Sequence, residues 1–150
     1  MKLCNKHREY ALQSPEIAKT MWCRLLEIGR AKMSVGQWDD AVGLYGSAFE
    51  TADILLQGEL SSAEDVDRYI NTALEFVYAL RKSSFEFNRP CLLSAIRTRL
   101  EHEANYHELS RPLECIVSQL IDLIYAKITQ VDECMAQLYS SENINSESFH

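Results

Sequence analysis

The densest cluster of metal-ligand side chains lies over residues 101–108, in the order EHEANYHE. Two histidines on one helix face can hold zinc when they are four residues apart, as in H-E-x-x-H. His102 and His107 are five residues apart, so their imidazoles diverge by about 140° on a helix. We therefore expect a polar helix end here, with no metal site and no catalytic role.

Other motifs of catalysis or cofactor binding are missing from the sequence. Cys4 and His7 have a metal-ligand spacing, but no second pair of ligands lies nearby. The chain has no G-x-x-x-x-G-K-[ST], G-x-G-x-x-G or G-x-S-x-G. These observations favour a protein without enzymatic activity and without a cofactor. The five cysteines are scattered without a C-x-x-C pair, which favours reduced thiols that serve as small core residues: Cys4, Cys23, Cys91, Cys115 and Cys134.

Two phenylalanines and an arginine lie close together in a predicted connection between helices. Phe85, Phe87 and Arg89 are candidates for partner binding, because exposed aromatic and arginine side chains commonly anchor protein interfaces. Aromatic side chains in a connection can instead fold back onto the core. Both interpretations are open at the level of the sequence.

Charge is unevenly distributed along the 150 residues, whose net charge is −7. Residues 81–99 contain five basic residues and one acid, a local charge of +4, whereas residues 39–75 have a local charge of −8. The net charge argues against nonspecific binding of nucleic acid or anionic membranes. The basic stretch either pairs with the acidic stretch, is solvated, or meets an acidic partner.

Helical periodicity predicts an all-α protein. Ser14-Pro15-Glu16 begins a helix, a second helix runs from Gln37 to about Gln57, and Asn88 caps a later one. The apolar stripe from Leu113 to Leu138 predicts one long C-terminal helix. We expect a single domain over residues 1–139 and a disordered polar tail over residues 140–150. No apolar run suits a signal peptide or membrane span, which favours a cytoplasmic protein.

Residues 22–55 resemble one unit of the tetratricopeptide repeat (TPR) family. Small or apolar residues occupy the family's first-helix positions, Gly36 its turn, and alternating alanines and aromatics its second helix. The matching residues are Leu25, Ile28, Gly29, Gly36, Trp38, Ala41, Tyr45 and Ala48. The resemblance implies antiparallel helical hairpins in a right-handed stack, or a bundle, closed by the C-terminal helix. Gly29 and Ala41 would let the hairpin helices approach closely, while Trp38 and Tyr45 would fill the gap to the neighbouring helix.

The resemblance also implies where a partner binds. Members of the family usually hold ligand peptides along the first helix of each hairpin. The matching positions here are Cys23, Leu26, Arg30, Met33 and Ser34. The resemblance therefore predicts a non-enzymatic scaffold or adaptor that receives a peptide or helix of a partner protein in a helical groove.

Two other functions are alternatives. Small acidic proteins with these repeats are similar to the cytoplasmic chaperones of bacterial secretion systems, which hold an apolar export substrate. A homo-oligomeric regulatory protein, dimeric through the helix from Leu113 to Leu138, is the second alternative. A regulator that binds nucleic acid through the basic stretch 81–99 is disfavoured by the net charge.

Overall fold

Every regular element that the structure describes is a helix. The structure is a computed structural model that describes residues 4–58 and 61–148, with side chains as far as residue 140. The all-α prediction is confirmed. In chain order the elements are α1 (Asn5–Gln13), α2 (Pro15–Ser34), α3 (Trp38–Leu56), α4 (Ala63–Lys82), α5 (Arg89–Glu103), α6 (Leu113–Tyr125), a 3₁₀ turn (Ile128–Gln130) and α7 (Val131–Ser148). None of the helices in the described ranges is both long and apolar enough to cross a membrane.

Two predicted helix starts are confirmed. Ser14 occupies the N-cap position of α2 and Pro15 its first turn, where the missing N–H of proline costs nothing. Asn88 caps α5, because its side-chain oxygen accepts a hydrogen bond from the backbone N–H of Cys91 at 3.1 Å. Local sequence is therefore sufficient to place these two starts.

The α2–α3 hairpin packs closely, as the small residues predict. A Cβ atom added to Gly29 would lie 3.1 Å from the ring of Tyr45, so only glycine fits without a shift. Gly36 forms the turn with a φ of 75°, a conformation that favours glycine. Trp38 packs edge-on against Tyr78 of α4, with ring centroids 5.5 Å apart. The aromatics of α3 therefore fill the gap to the next helix.

Helix α4 lies at the centre of the fold, in contact with α3, α5, α6 and α7. The largest apolar cluster forms around it from side chains of α3 through α7. The same helix also buries four polar or charged side chains, each of which has a hydrogen-bond partner: Asp65, Thr72, Glu75 and Arg81. Because α4 is buried on most of its faces, the neighbouring helices pack around it.

Helix α7 runs antiparallel to α4 on the face shared by α2, α4 and α6. Near its start, Asp132 accepts hydrogen bonds from Tyr78 and Lys82 at 2.5 and 3.0 Å. One and two turns later, respectively, Met135 and Leu138 are buried in the central core. The side chains of α7 also border pockets against α2 and against α6. The helix thus covers part of the surface on which a ligand groove is predicted.

The predicted continuous helix from Leu113 to Leu138 is wrong. The chain leaves helical geometry at Ala126 and Lys127, whose ψ angles are 152° and 144°, before α7 begins. The apolar stripe remains in phase across the break, because both α6 and α7 face the same core. A tertiary contact from Arg81 to carbonyls at the end of α6 accompanies the break.

Backbone helix continues to Ser148, beyond residue 139, where the sequence predicts that the folded domain ends. Residues 140–148 contain neither glycine nor proline, the two residues that most strongly interrupt a helix. The disorder of the tail stays a prediction, and its last two residues, 149 and 150, lie outside the described residues.

Candidate functional site

The cluster over residues 101–108 lies at the end of α5 and in the turn that follows. Within the part of the chain that the structure describes, no group of three or more His, Cys, Asp or Glu side chains could hold a metal ion. His107 Nε2 lies 3.4 Å from Ser61 Oγ and 3.9 Å from Glu103 Oε2. Both neighbours approach the same ring nitrogen, whereas a nucleophile relay needs them on opposite nitrogens. This geometry offers no serine–histidine–acid relay.

Four of the five cysteines, which are predicted to be core residues, lie outside the core, and the fifth, Cys134, packs against it. Cys4, Cys23, Cys91 and Cys115 are exposed, and Cys134 is half-buried between α6 and α7. The prediction that these thiols are core residues is wrong for the four exposed ones, because each lies on an outward-facing side of its helix or at its end.

Most of the basic stretch 81–99 pairs inside the molecule. Arg99 Nε donates to Asp53 of α3 at 2.8 Å, which joins the basic stretch to the acidic stretch 39–75. Two other cations in the stretch also bind carboxylates, in the pairs Lys82–Asp132 and Arg97–Glu101. Pairing with the acidic stretch is thus confirmed for Arg99; Lys82 and Arg97 pair with carboxylates outside that stretch, and Arg81 and Arg89 remain.

Arg81 is buried, with 9% of its surface exposed, and its guanidinium binds backbone oxygens instead of a carboxylate. Its Nη1 donates to the carbonyls of Leu123 and Ile124, each at 2.8 Å, and its Nη2 donates to that of Ala126. These carbonyls form the end of α6, where the helix dipole favours a cation. Burial and the neighbouring charge of Arg89 lower the pKa of Arg81. The charge of Arg81 is solvated by dipoles but not neutralised.

A pocket of about 390 Å³ opens beside Arg81, at the connection between α4 and α5. We call it the connection pocket, and it is lined by Leu80, Arg81, Ser83, Ser84, Phe85, Glu86, Phe87 and Arg89. Phe85 is 46% exposed, whereas Phe87 is half-buried against the core. The guanidinium of Arg89 lies 5.7 Å from the centre of the Phe87 ring. The structure thus brings all three predicted residues of the connection to one pocket.

A hydrogen-bonded tether fixes one wall of this pocket. Asp39, in the first turn of α3, accepts a hydrogen bond from the backbone N–H of Ser84 at 2.8 Å and another from its hydroxyl at 2.6 Å. These two bonds lower the pKa of the Asp39 carboxyl. The connection is therefore held against α3 while the Asp39 carboxylate is ionised.

The residues predicted on α2 are in mixed environments. Cys23, Arg30 and Ser34 are exposed, but Leu26 is only 2% exposed and belongs to the core. Met33 is half-buried and packs against the same apolar cluster as Phe87. The prediction that Leu26 contacts a partner is wrong, because its side chain points between α3 and α4.

Arg30 is engaged with a buried carboxylate that the sequence analysis missed. Its Nε and Nη2 donate to the two oxygens of Glu75, both at 2.9 Å, and the hydroxyl of Tyr45 donates to Glu75 at 3.2 Å. Glu75 is 4% exposed. Its hydrogen bonds with Arg30 raise the pKa of that guanidinium, and burial raises the pKa of Tyr45.

The small pocket next to this network has a volume of about 140 Å³ and is bordered by Arg30, Glu75 and side chains of α7. Because α7 already lies there, the predicted groove along α2 is partly occupied by the chain itself. The sequence contains one indication that Glu75 is buried. The apolar residues Phe76 and Ala79 lie outside the main apolar stripe of α4, which implies that this helix is buried on more than one side.

No known protein family matches this sequence, and no characterised protein or solved structure matches it either. The resemblance of residues 22–55 to a TPR unit therefore stays a prediction. The geometry of the two sites on α2 and at the connection is what bears on function.

Proposed function

We propose that this protein is a non-enzymatic interaction module that binds a segment of a partner protein at the connection pocket. The observation that carries the proposal is the exposure of Phe85 in the same pocket as Arg89. Phenylalanine and arginine side chains that can be desolvated together are typical anchors of protein interfaces.

The surrounding fold supports this role because it holds the pocket in place. Asp39 tethers one wall, Asn88 caps the helix that carries Arg89, and Arg81 joins the pocket to the end of α6. A site whose backbone is already ordered loses less conformational entropy when it binds.

We further propose that the α2–α3 hairpin is a TPR-like unit that serves as part of this scaffold. The close contact at Gly29 and the aromatic packing of Trp38 are consistent with it. Unlike the arrangement that the resemblance implies, the proposed binding site lies at the end of α4 and not along α2. A cytoplasmic location also belongs to this proposal.

Self-association is a second candidate function. Helix α6 exposes Ile121 (40%) and Tyr125 (48%) one turn apart, and Ile128 (58%) is exposed in the 3₁₀ turn after the break. Exposed apolar side chains close together along the chain suit packing against a second copy. A monomer by sedimentation at all accessible concentrations would eliminate this candidate.

Site-specific photocrosslinking tests the binding proposal. A benzophenone amino acid is placed at Phe85 or, as a control, at Tyr106, an aromatic that is 71% exposed in a different loop. In cells of the source organism, we expect position 85 to form a discrete adduct with another polypeptide and position 106 to form none. An absence of adducts from position 85, or the same adducts from both positions, would contradict the proposal.

A further inference from the structure

We infer that the connection pocket binds an acidic segment of the partner, with a carboxylate at Arg89 and an apolar side chain against Phe85. This inference rests on the proposed function and specifies the chemistry of the ligand. Its basis is the balance of charge among the residues that line the pocket.

The cations of the basic stretch 81–99 fall into two groups. Lys82, Arg97 and Arg99 each pair with a carboxylate. Arg81 and Arg89 pair with no carboxylate of the described residues, and both line the connection pocket. Glu86 is the single acidic side chain that lines it. The residues that line the pocket therefore include two cations and one acidic side chain, a local charge of +1.

The two arginines have different capacities for a ligand. Arg81 already uses both terminal nitrogens on backbone carbonyls, so it contributes a positive field and not a free hydrogen-bond fork. Arg89 stacks over Phe87 and donates no hydrogen bond to any described residue, which leaves its guanidinium able to bind a carboxylate in bidentate fashion. Because Arg81 and Arg89 line one pocket and their positive charges repel each other, an anion between them would relieve that repulsion.

Apolar surface next to these cations indicates a polypeptide segment instead of a bare anion. Phe85 is 46% exposed at the pocket. A free phosphate would leave the ring of Phe85 in water. A nucleic acid would meet a protein with a net charge of −7 and only one free arginine at the site.

Peptide selection on the full chain tests this inference. A displayed random peptide library is selected on the wild-type protein, on Arg89→Gln, and on Arg97→Gln. Arg97→Gln is a matched control, because Arg97 is an exposed arginine of the same helix that pairs with Glu101. The affinity of the best selected peptide is then measured by fluorescence anisotropy for each protein, and for Phe85→Ala with Tyr106→Ala as its control.

We expect wild-type protein and Arg97→Gln to enrich peptides that combine Asp or Glu with Leu or Phe. Arg89→Gln should weaken binding of the selected peptide about tenfold, since an arginine–carboxylate contact contributes at least one factor of ten. Phe85→Ala should weaken it as well, whereas Tyr106→Ala should not.

Three results would overturn the inference. The first is no enrichment of acidic residues, and the second is equal affinity of the peptide for Arg89→Gln and Arg97→Gln. The third is full displacement of the peptide by inorganic phosphate at constant ionic strength, which would indicate a site for a bare anion.

If the crosslink from position 85 forms but acidic peptides are not enriched, the interaction module stands and only the acidic ligand is wrong. If the crosslink itself is absent, the proposed function fails.

Discussion

Arg30 and Arg81 both connect neighbouring helices, but the groups that they bind carry different charge. Arg30 donates two hydrogen bonds to Glu75, so the pair is neutral as a unit. Arg81 donates to three backbone carbonyls, which are dipoles without net charge. The charge of Arg30 is therefore neutralised by its partner, whereas Arg81 keeps its positive charge next to a pocket.

Because of this difference in charge compensation, we infer that the region around Arg30 has a structural role and the region around Arg81 a role in binding. A compensated pair inside a fold holds its helices in register and offers little to a ligand. A cation that only dipoles solvate remains attractive to an anion, and here a second cation, Arg89, lies beside it. The region that the family resemblance favours is thus the structural one, and the connection between α4 and α5 is the candidate binding site.

Removal of Arg30 should have the largest effect on stability. Arg30→Met leaves the carboxylate of Glu75 buried with only Tyr45 as a partner, which should cost about 3 kcal/mol in the free energy of unfolding. Urea unfolding monitored by circular dichroism measures it. Arg24→Met, at an exposed arginine of the same helix, is the control and should change little.

The double variant Arg30→Met/Glu75→Gln sharpens this prediction. It removes the unpaired charge and keeps an acceptor for Tyr45, so it should be more stable than Arg30→Met alone. If the double variant loses as much as the two single variants together, the view of this site as a compensated pair is incorrect.

Arg81→Met should cost about 2 kcal/mol, because charge-assisted hydrogen bonds to the end of α6 are lost. The loss should be local, with faster amide hydrogen exchange at the α6–α7 junction than in the α2–α3 hairpin. Hydrogen exchange with mass spectrometry measures both regions in one experiment. Uniform acceleration across the chain would mean that Arg81 does not hold this junction specifically.

The contacts that dock α7 should weaken in acid. Hydrogen bonds from Tyr78 and Lys82 lower the pKa of Asp132, so their stabilising effect is present above the ordinary pKa of 3.8 and is lost as the pH falls through the lower folded value. Asp132→Asn should therefore lower the free energy of unfolding by about 0.2–1 kcal/mol at neutral pH. Paired urea titrations at neutral and strongly acidic pH check this, and a difference that persists in acid would assign it to another cause.

The smallest effect on stability should come from Arg89. Arg89→Gln removes one contact over Phe87 and one repulsion with Arg81, so the free energy of unfolding should change by less than about 0.5 kcal/mol. Urea unfolding of this variant beside Arg97→Gln measures it. A loss comparable to that of Arg81→Met would show that Arg89 has a structural role, and its effect on binding could not then be separated from folding.

Local sequence was sufficient for the parts of the fold that depend on local interactions. Ser14-Pro15 and Asn88 place helix starts, and the small residue Gly29 predicts the close approach of α2 and α3. The break between α6 and α7 was missed because the apolar stripe continues through it, and the arginine that binds the carbonyls there lies 42 residues or more earlier in the chain.

The candidate site shows the same division. Phe85, Phe87 and Arg89 are neighbours in the sequence, so their common location could be predicted. The pairing of Arg30 with Glu75 could not, because it depends on how α2 and α4 are placed against each other. Whether an arginine has a carboxylate partner depends on tertiary structure, and this is the feature that distinguishes the region around Arg30 from the region around Arg81.

The most direct test is an NMR titration of the arginine side-chain Nε–H signals with the selected acidic peptide. We predict that the Arg89 signal shifts saturably, together with the ring signals of Phe85, while the Arg30 signal stays in place because Glu75 already binds it. Saturable shifts of Arg30 without shifts of Arg89 would contradict the account and would return the binding site to the face of α2.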